Sequence, residues 1–252
     1  MISCNVLFSW RSWAWLVFFA VLAIAAEHQL TQSLWDEPVI VLEIGGTYES
    51  MLEQSTASFS PLIRGHIWAG IPKTDARLRF VDSQYGFDTP LARFLSVGFN
   101  DNLVDDIRMS PQIEPLLIDD AMKVVLDLQA QWCAKGWRPI GTRRNPTISD
   151  TPEWRAYLRN GELAGYSYWQ AGDKYQAMLI LGRFNDYRYP DQERYLITLA
   201  IAAPWLQFEE DESRFEPHHS PPPQPKEGTQ SCQAFAVSAQ FIAEDSVMEG
   251  GG

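Results

Sequence analysis

The chain has 252 residues, 46% of them apolar, which supports a genuine core and excludes a largely disordered protein. Its formal charge of −12 speaks against nucleic acid and anionic lipid surfaces as partners, because an acidic surface repels both. Ten Trp, nine Tyr and thirteen Phe promise a core packed largely by aromatic rings.

Residues 1–26 read as an export segment. Arg11 is the only charge, the stretch 13–26 is apolar throughout, and small residues close it at Ala25 and Ala26. It is either a cleaved signal peptide or an anchor spanning residues 5–26, with Arg11 reaching the headgroups and Trp10, Trp13 and Trp15 at the interface. Both readings place the remainder in the periplasm or on the periplasmic face of a bacterial inner membrane. Residues 27–37 follow as a polar linker.

The body begins with a short apolar strand at 38–44, stopped by Gly45 and Gly46. Thr47 is placed to cap a helix over 48–56. Strands are predicted at 63–71 and 76–82, the second alternating with Leu78 and Phe80 on one face. Strands 93–99 and 103–109 form a hairpin around Asn100, Asp101 and Asn102, residues that tolerate positive φ. Phe94, Val97 and Phe99 are expected inside, and Asp105, Asp106 and Arg108 in water.

The clearest helix is 118–135. Ala121, Val125, Leu128 and Trp132 recur at helical spacing, Asp119 and Asp120 favour the N-terminal dipole, and Gly136 stops the run. Residues 137–146 read as a loop or short strand. Asp150 and Pro152 start a helix that ends near Arg159. A second hairpin joins 163–170 to 174–184 around Gly172, and 194–203 reads as a central, well-buried strand.

These elements predict an α+β fold: an antiparallel sheet or sheets with two or three helices packed on one face, over a domain at 38–206. Segments 38–110 and 116–204 read alike, which either a duplication or one continuous sheet would produce. An N-terminal apolar helix precedes the domain. The tail 207–252, with nine acidic and two basic residues and a Pro-rich run, reads as mostly disordered.

Catalytic signatures are missing from the sequence: no G-x-S-x-G, H-E-x-x-H, G-x-G-x-x-G, P-loop or C-x-x-C. His28, His66, His218 and His219 lack an evident ligand or base partner, and no catalytic residue, cofactor or metal ligand is named. The paired acids Asp105–Asp106 and Asp119–Asp120 fit a hairpin and a helix start. The unusual feature is Arg138, Arg143, Arg144, Arg155 and Arg159, clustered within an acidic chain. These arginines either grip acids of the same protein or meet an anionic partner, with Trp154 and Trp169 as interface anchors. Cys133 and Cys232 either form a disulfide tying the tail to a helix, or stay apart as a buried thiol and a tail thiol.

The reading this favours is a protein-binding module facing the periplasm, of the kind represented by immunity proteins that inhibit an envelope-acting toxin or hydrolase. Its partner is expected to be a protein with a basic surface, and the membrane is a second partner through residues 5–26 if these are retained. An envelope-assembly accessory protein and an enzyme with an unfamiliar site, around His66 or the arginines, are the alternatives.

Overall fold

The computed structural model describes residues 37–160, 163–206, 222–224 and 232. The export segment, the linker up to residue 36 and most of the tail lie outside the described residues.

Among these described residues, three helices and two sheets make up an α+β fold. The chain runs β1 (Val39–Leu42), α1 (Tyr48–Gln54), β2 (Ile67–Gly70), β3 (Arg77–Phe80), β4 (Phe87–Asp88), β5 (Phe94–Asn100) and β6 (Leu103–Ser110). It continues through α2 (Ile118–Ala134), β7 (Arg138–Ile140), α3 (Pro152–Arg159), β8 (Ala164–Ala171), β9 (Tyr175–Phe184) and β10 (Arg194–Ala202). Seven strands form one sheet in the order β2-β5-β6-β10-β9-β8-β7, antiparallel at every pairing. The last strands of the two segments, β6 and β10, pair at its middle. The small second sheet sets β1 parallel to β3 and β3 antiparallel to β4.

Local chemistry explains the boundaries. Thr47 caps α1 by accepting from Ser50 N, and Gly136, at φ +87°, ends α2. The cap of α3 is Thr151, whose hydroxyl accepts from Trp154 N, rather than Asp150. Asp150 instead receives the Arg155 guanidinium. Strand β2 starts only at Ile67 because Gly65, at φ +74°, turns the chain just before it. Asp101, at φ +57°, makes the tight β5–β6 connection.

All three helices meet the same side of the large sheet. Trp132 of α2 lies 5.4 Å from Trp169 of β8, centroid to centroid. Trp154 of α3 packs so closely on Gly165 that a Cβ there would come within 2.8 Å of the indole. Tyr48 of α1 meets Phe99 edge-on at 5.7 Å. Trp132, Trp137, Trp154 and Trp169 are all fully buried, so aromatic area dominates this core. Gln129, buried in α2, holds Ile148 by both its backbone N–H and its carbonyl.

Phe94 departs from expectation: it is 48% exposed. Side chains alternate along a strand, so Leu95, Val97 and Phe99 take the covered face and Phe94 must take the other.

Asp82 joins the two sheets. It accepts from Gln84 N and Tyr85 N, from Lys174 Nζ at 3.1 Å and from Tyr175 Oη at 3.0 Å. Burial pushes its carboxyl up, but the hydrogen bonds from Tyr85, Gln84, Lys174 and Tyr175 outweigh that and hold it at about 2. Burial, followed by the bond to Asp82, pushes the Tyr175 hydroxyl up to about 12.

Candidate functional site

The arginines do not form one patch. Arg155 binds Asp150 and Asp119, tying α3 to the first turn of α2. The Asp150 and then Asp119 hydrogen bonds push its pKa up. Arg159 pairs with Glu193 at 3.3 Å. Arg138 lies on β7, beyond the opposite end of α2, while Arg143 and Arg144 follow in the next turn. A 17-residue helix is roughly 25 Å long, so Arg155 and Arg138 sit far apart. The anchoring role expected for Trp154 and Trp169 is corrected as well. They are 1% and 0% exposed: Trp154 packs from α3 onto the sheet at Gly165, and Trp169 stands on the helix-covered side against Trp132. His66 lies exposed in the turn before β2.

The opposite side of the large sheet carries a different surface. Among the described residues no helix packs on it. Register defines its middle: Ser96 lies opposite Arg108, Gly98 opposite Asp106, and Ala200 opposite both Arg108 and Met178. Ala202 stands between Asp106 and Gln176, and Thr198 opposite Ile180. Small side chains thus floor the centre. Larger exposed ones rim it: Ile67 and Phe94 on the β2–β5 side, Tyr166 and Phe184 on the β8–β9 side. Past Phe184, the β9–β10 loop presents Tyr187, 95% exposed. That loop is braced by Asp186, which takes Arg188 Nη2 at 2.7 Å and Arg188 N at 3.0 Å.

A hollow of about 230 Å³ lies on this face, lined by Asp106, Arg108, Met178, Ala200, Ala202 and Trp205. Its geometry is built. Buried Gln176 accepts from Trp205 N and Leu206 N at 3.2 and 2.9 Å, and donates to the Leu206 carbonyl at 3.0 Å. This fixes the chain leaving β10 and sets Trp205 beside the hollow. The Asp106 carboxylate lies over Gly98, where any Cβ would collide with it. Asp105 is the extra residue of a bulge opposite Gly98 and Phe99, and it brings a second acid next to Asp106. Burial first, then the charge of Asp105, push the Asp106 pKa up, while Arg108 opposes them. Among the described residues the Asp106 carboxylate has no hydrogen-bond donor or salt-bridge partner.

Reading the sequence missed this face, although β10 carried its signature. Ile197, Leu199 and Ile201 alternate with Thr198, Ala200 and Ala202, large against small, and the run as a whole looked uniformly apolar. No group of three or more His, Cys, Asp or Glu capable of holding a metal occurs among the described residues. No helix among them is long and apolar enough to cross a membrane.

Among the described residues, fold and face together define an α+β protein in which helices cover one side of a seven-stranded antiparallel sheet and none covers the other. No family model matches the chain, and no curated protein or solved structure gives a significant match.

Proposed function

We propose that this chain is a protein-binding module on the periplasmic side of a bacterial inner membrane, an immunity-type inhibitor that occludes a toxin or hydrolase acting in the envelope. Its docking surface is the open sheet face. One observation supports the reading: an exposed acidic side chain, Asp106, that takes no hydrogen bond or salt bridge from the described residues, in a hollow floored by small residues and flanked by Trp205. Asp106 is exposed, so water serves its carboxylate in the free chain, and a partner's cation gains by replacing that water with a charge-assisted hydrogen bond. The occupant that fits is a basic protein surface that inserts an Arg or Lys side chain. Its charge meets Asp106, and its stem or guanidinium packs on Trp205 and Met178. The acidic balance of the whole chain adds attraction over distance.

The test is capture from native cells by the full chain, at low and high salt, repeated with three variants. One stoichiometric protein is expected, held at low salt and weakened at high salt. Asp106→Lys should weaken it on the order of 100-fold, Ala200→Trp should abolish it by filling the hollow, and Lys123→Ala on α2 should leave it unchanged. A partner held equally by Asp106→Lys and Ala200→Trp would refute the face. Loss with Ala200→Trp alone would keep the face and refute the Asp106 contact.

A further inference from the structure

We infer that Tyr187 is a pre-set aromatic anchor of the proposed interface, seated in a pocket of the same basic protein that meets Asp106. The inference rests on the proposed function and adds a second contact to it.

Tyr187 stands in the β9–β10 loop, residues 185–193, and is 95% exposed. Among the described residues its hydroxyl takes no hydrogen bond and its ring meets no other ring. A ring left in water contributes little to folding, and a partner that covers it recovers that hydrophobic free energy. Single exposed aromatics are common on protein surfaces. The rigid seat sets this one apart.

The residues on either side of Tyr187 grip each other. Asp186, only 7% exposed, accepts from Arg188 N at 3.0 Å, Nε at 2.9 Å and Nη2 at 2.7 Å. Tyr189 N donates to the Asp186 carbonyl at 2.9 Å, and Gln192 N to the Tyr189 carbonyl at 3.1 Å. The Arg194 guanidinium stacks 4.4 Å from the Tyr189 ring centroid, and its Nη1 donates to the Pro115 carbonyl just ahead of α2. The disulfide between Cys133 and Cys232 lies at the other end of α2, roughly 25 Å away, and takes no part in this bracing. Tyr187 is thus the residue of the turn left projecting. Its backbone is already held, so binding has only two side-chain torsions to fix.

The loop continues the face that carries the hollow. Phe184, its last strand neighbour, shares the side of β9 that holds Met178 and Ile180. From Met178 to Phe184 the strand runs roughly 20 Å. An interface of ordinary size covers about 800 Å² on each side and is roughly 30 Å across, enough for one protein to span hollow and anchor together. The charge of the loop suits a basic surface. Asp186, Asp191 and Glu193 stand against Arg188 alone, and Arg188 is spent on Asp186 and on Glu114 at 3.6 Å.

The first test needs no partner. Backbone relaxation measured by NMR should give Tyr187 an order parameter of about 0.85, falling below about 0.6 in Asp186→Ala. A value below about 0.6 in the unaltered chain would overturn the pre-set anchor. The second test titrates the protein captured by the full chain against purified variants. Tyr187→Ala should weaken binding on the order of 30-fold and Tyr187→Phe by less than about threefold, with Tm within about 1 °C in both. In the Tyr187→Ala background, Asp186→Ala should add no further loss, because the brace acts through the ring. Tyr187→Ala binding within about twofold of the unaltered chain, beside a weakened Asp106→Lys, would overturn the anchor and keep the binding face. Loss with Tyr187→Ala but not with Asp106→Lys would overturn the shared interface. Capture of no protein at all would overturn the proposed function and the anchor together.

Discussion

The two faces of the seven-stranded sheet are built from the same strands and differ in what they carry. On the helix side, Trp169, Leu199 and Ile201 are wholly buried. On the open side, the intervening positions of β10 and β5 hold Ala200, Ala202, Thr198 and Gly98 among Arg108, Met178 and Ile180, with exposed Ile67, Phe94, Tyr166 and Phe184 toward the rims. Large side chains sit where helices remove them from water and each contributes about 1.5–3 kcal/mol. Small ones sit where, among the described residues, no helix covers the sheet. The covered face therefore supplies most of the folding energy, and under the proposed function the other face is the one that meets the partner.

This comparison can be broken at either face. The largest effect belongs to the covered side. Trp169→Ala should cost about 3–5 kcal/mol and lower Tm on the order of 10 °C, read by calorimetry, because α2 cannot collapse into the space. Asp106→Lys on the open side should weaken capture on the order of 100-fold and leave Tm within about 2 °C; a large fall in Tm would show that the open face is part of the core after all. Capture should also weaken as pH falls toward the raised pKa of Asp106, above the ordinary carboxylate value, because protonation removes the charge.

Between these lies Asp82, which joins the sheets. Its folded pKa of about 2 is depressed from 3.8, so its contribution is fully present above pH 4 and is lost as pH falls through 2. Asp82→Asn should cost about 2 kcal/mol at pH 7 and flatten the acid limb of urea-unfolding curves between pH 4 and 2. The smallest effect is expected at the exposed Arg159–Glu193 pair, where Arg159→Ala should change urea-unfolding stability by less than about 1 kcal/mol.

Much of the fold was legible because its determinants are local. Periodicity placed α2 within a residue of its observed end, Thr47 capped α1, and Asp101 and Gly172 take the positive φ that the two hairpins need. The errors fell where a neighbour far along the chain decides. Parity within β5 put Phe94 outside, and Arg155 and Arg159 of α3 pair with acids of this same chain, Asp119 and Asp150 in one case and Glu193 in the other. The parallel pairing of β1 with β3 skips across α1 and β2, and the two-residue β4 is too short to show a period.

The sequence by itself determined the α+β class, the main helices and hairpins, and the acidic balance, since spacing, turn residues and charge act within a few positions or over the whole chain. Only the tertiary structure decided that the two segments share one continuous sheet, that Trp154 and Trp169 are core, and that Asp106 lies over Gly98 beside Trp205. Strand alternation states that a strand has two faces; which of them the helices cover depends on long-range packing, and the open surface follows from that choice.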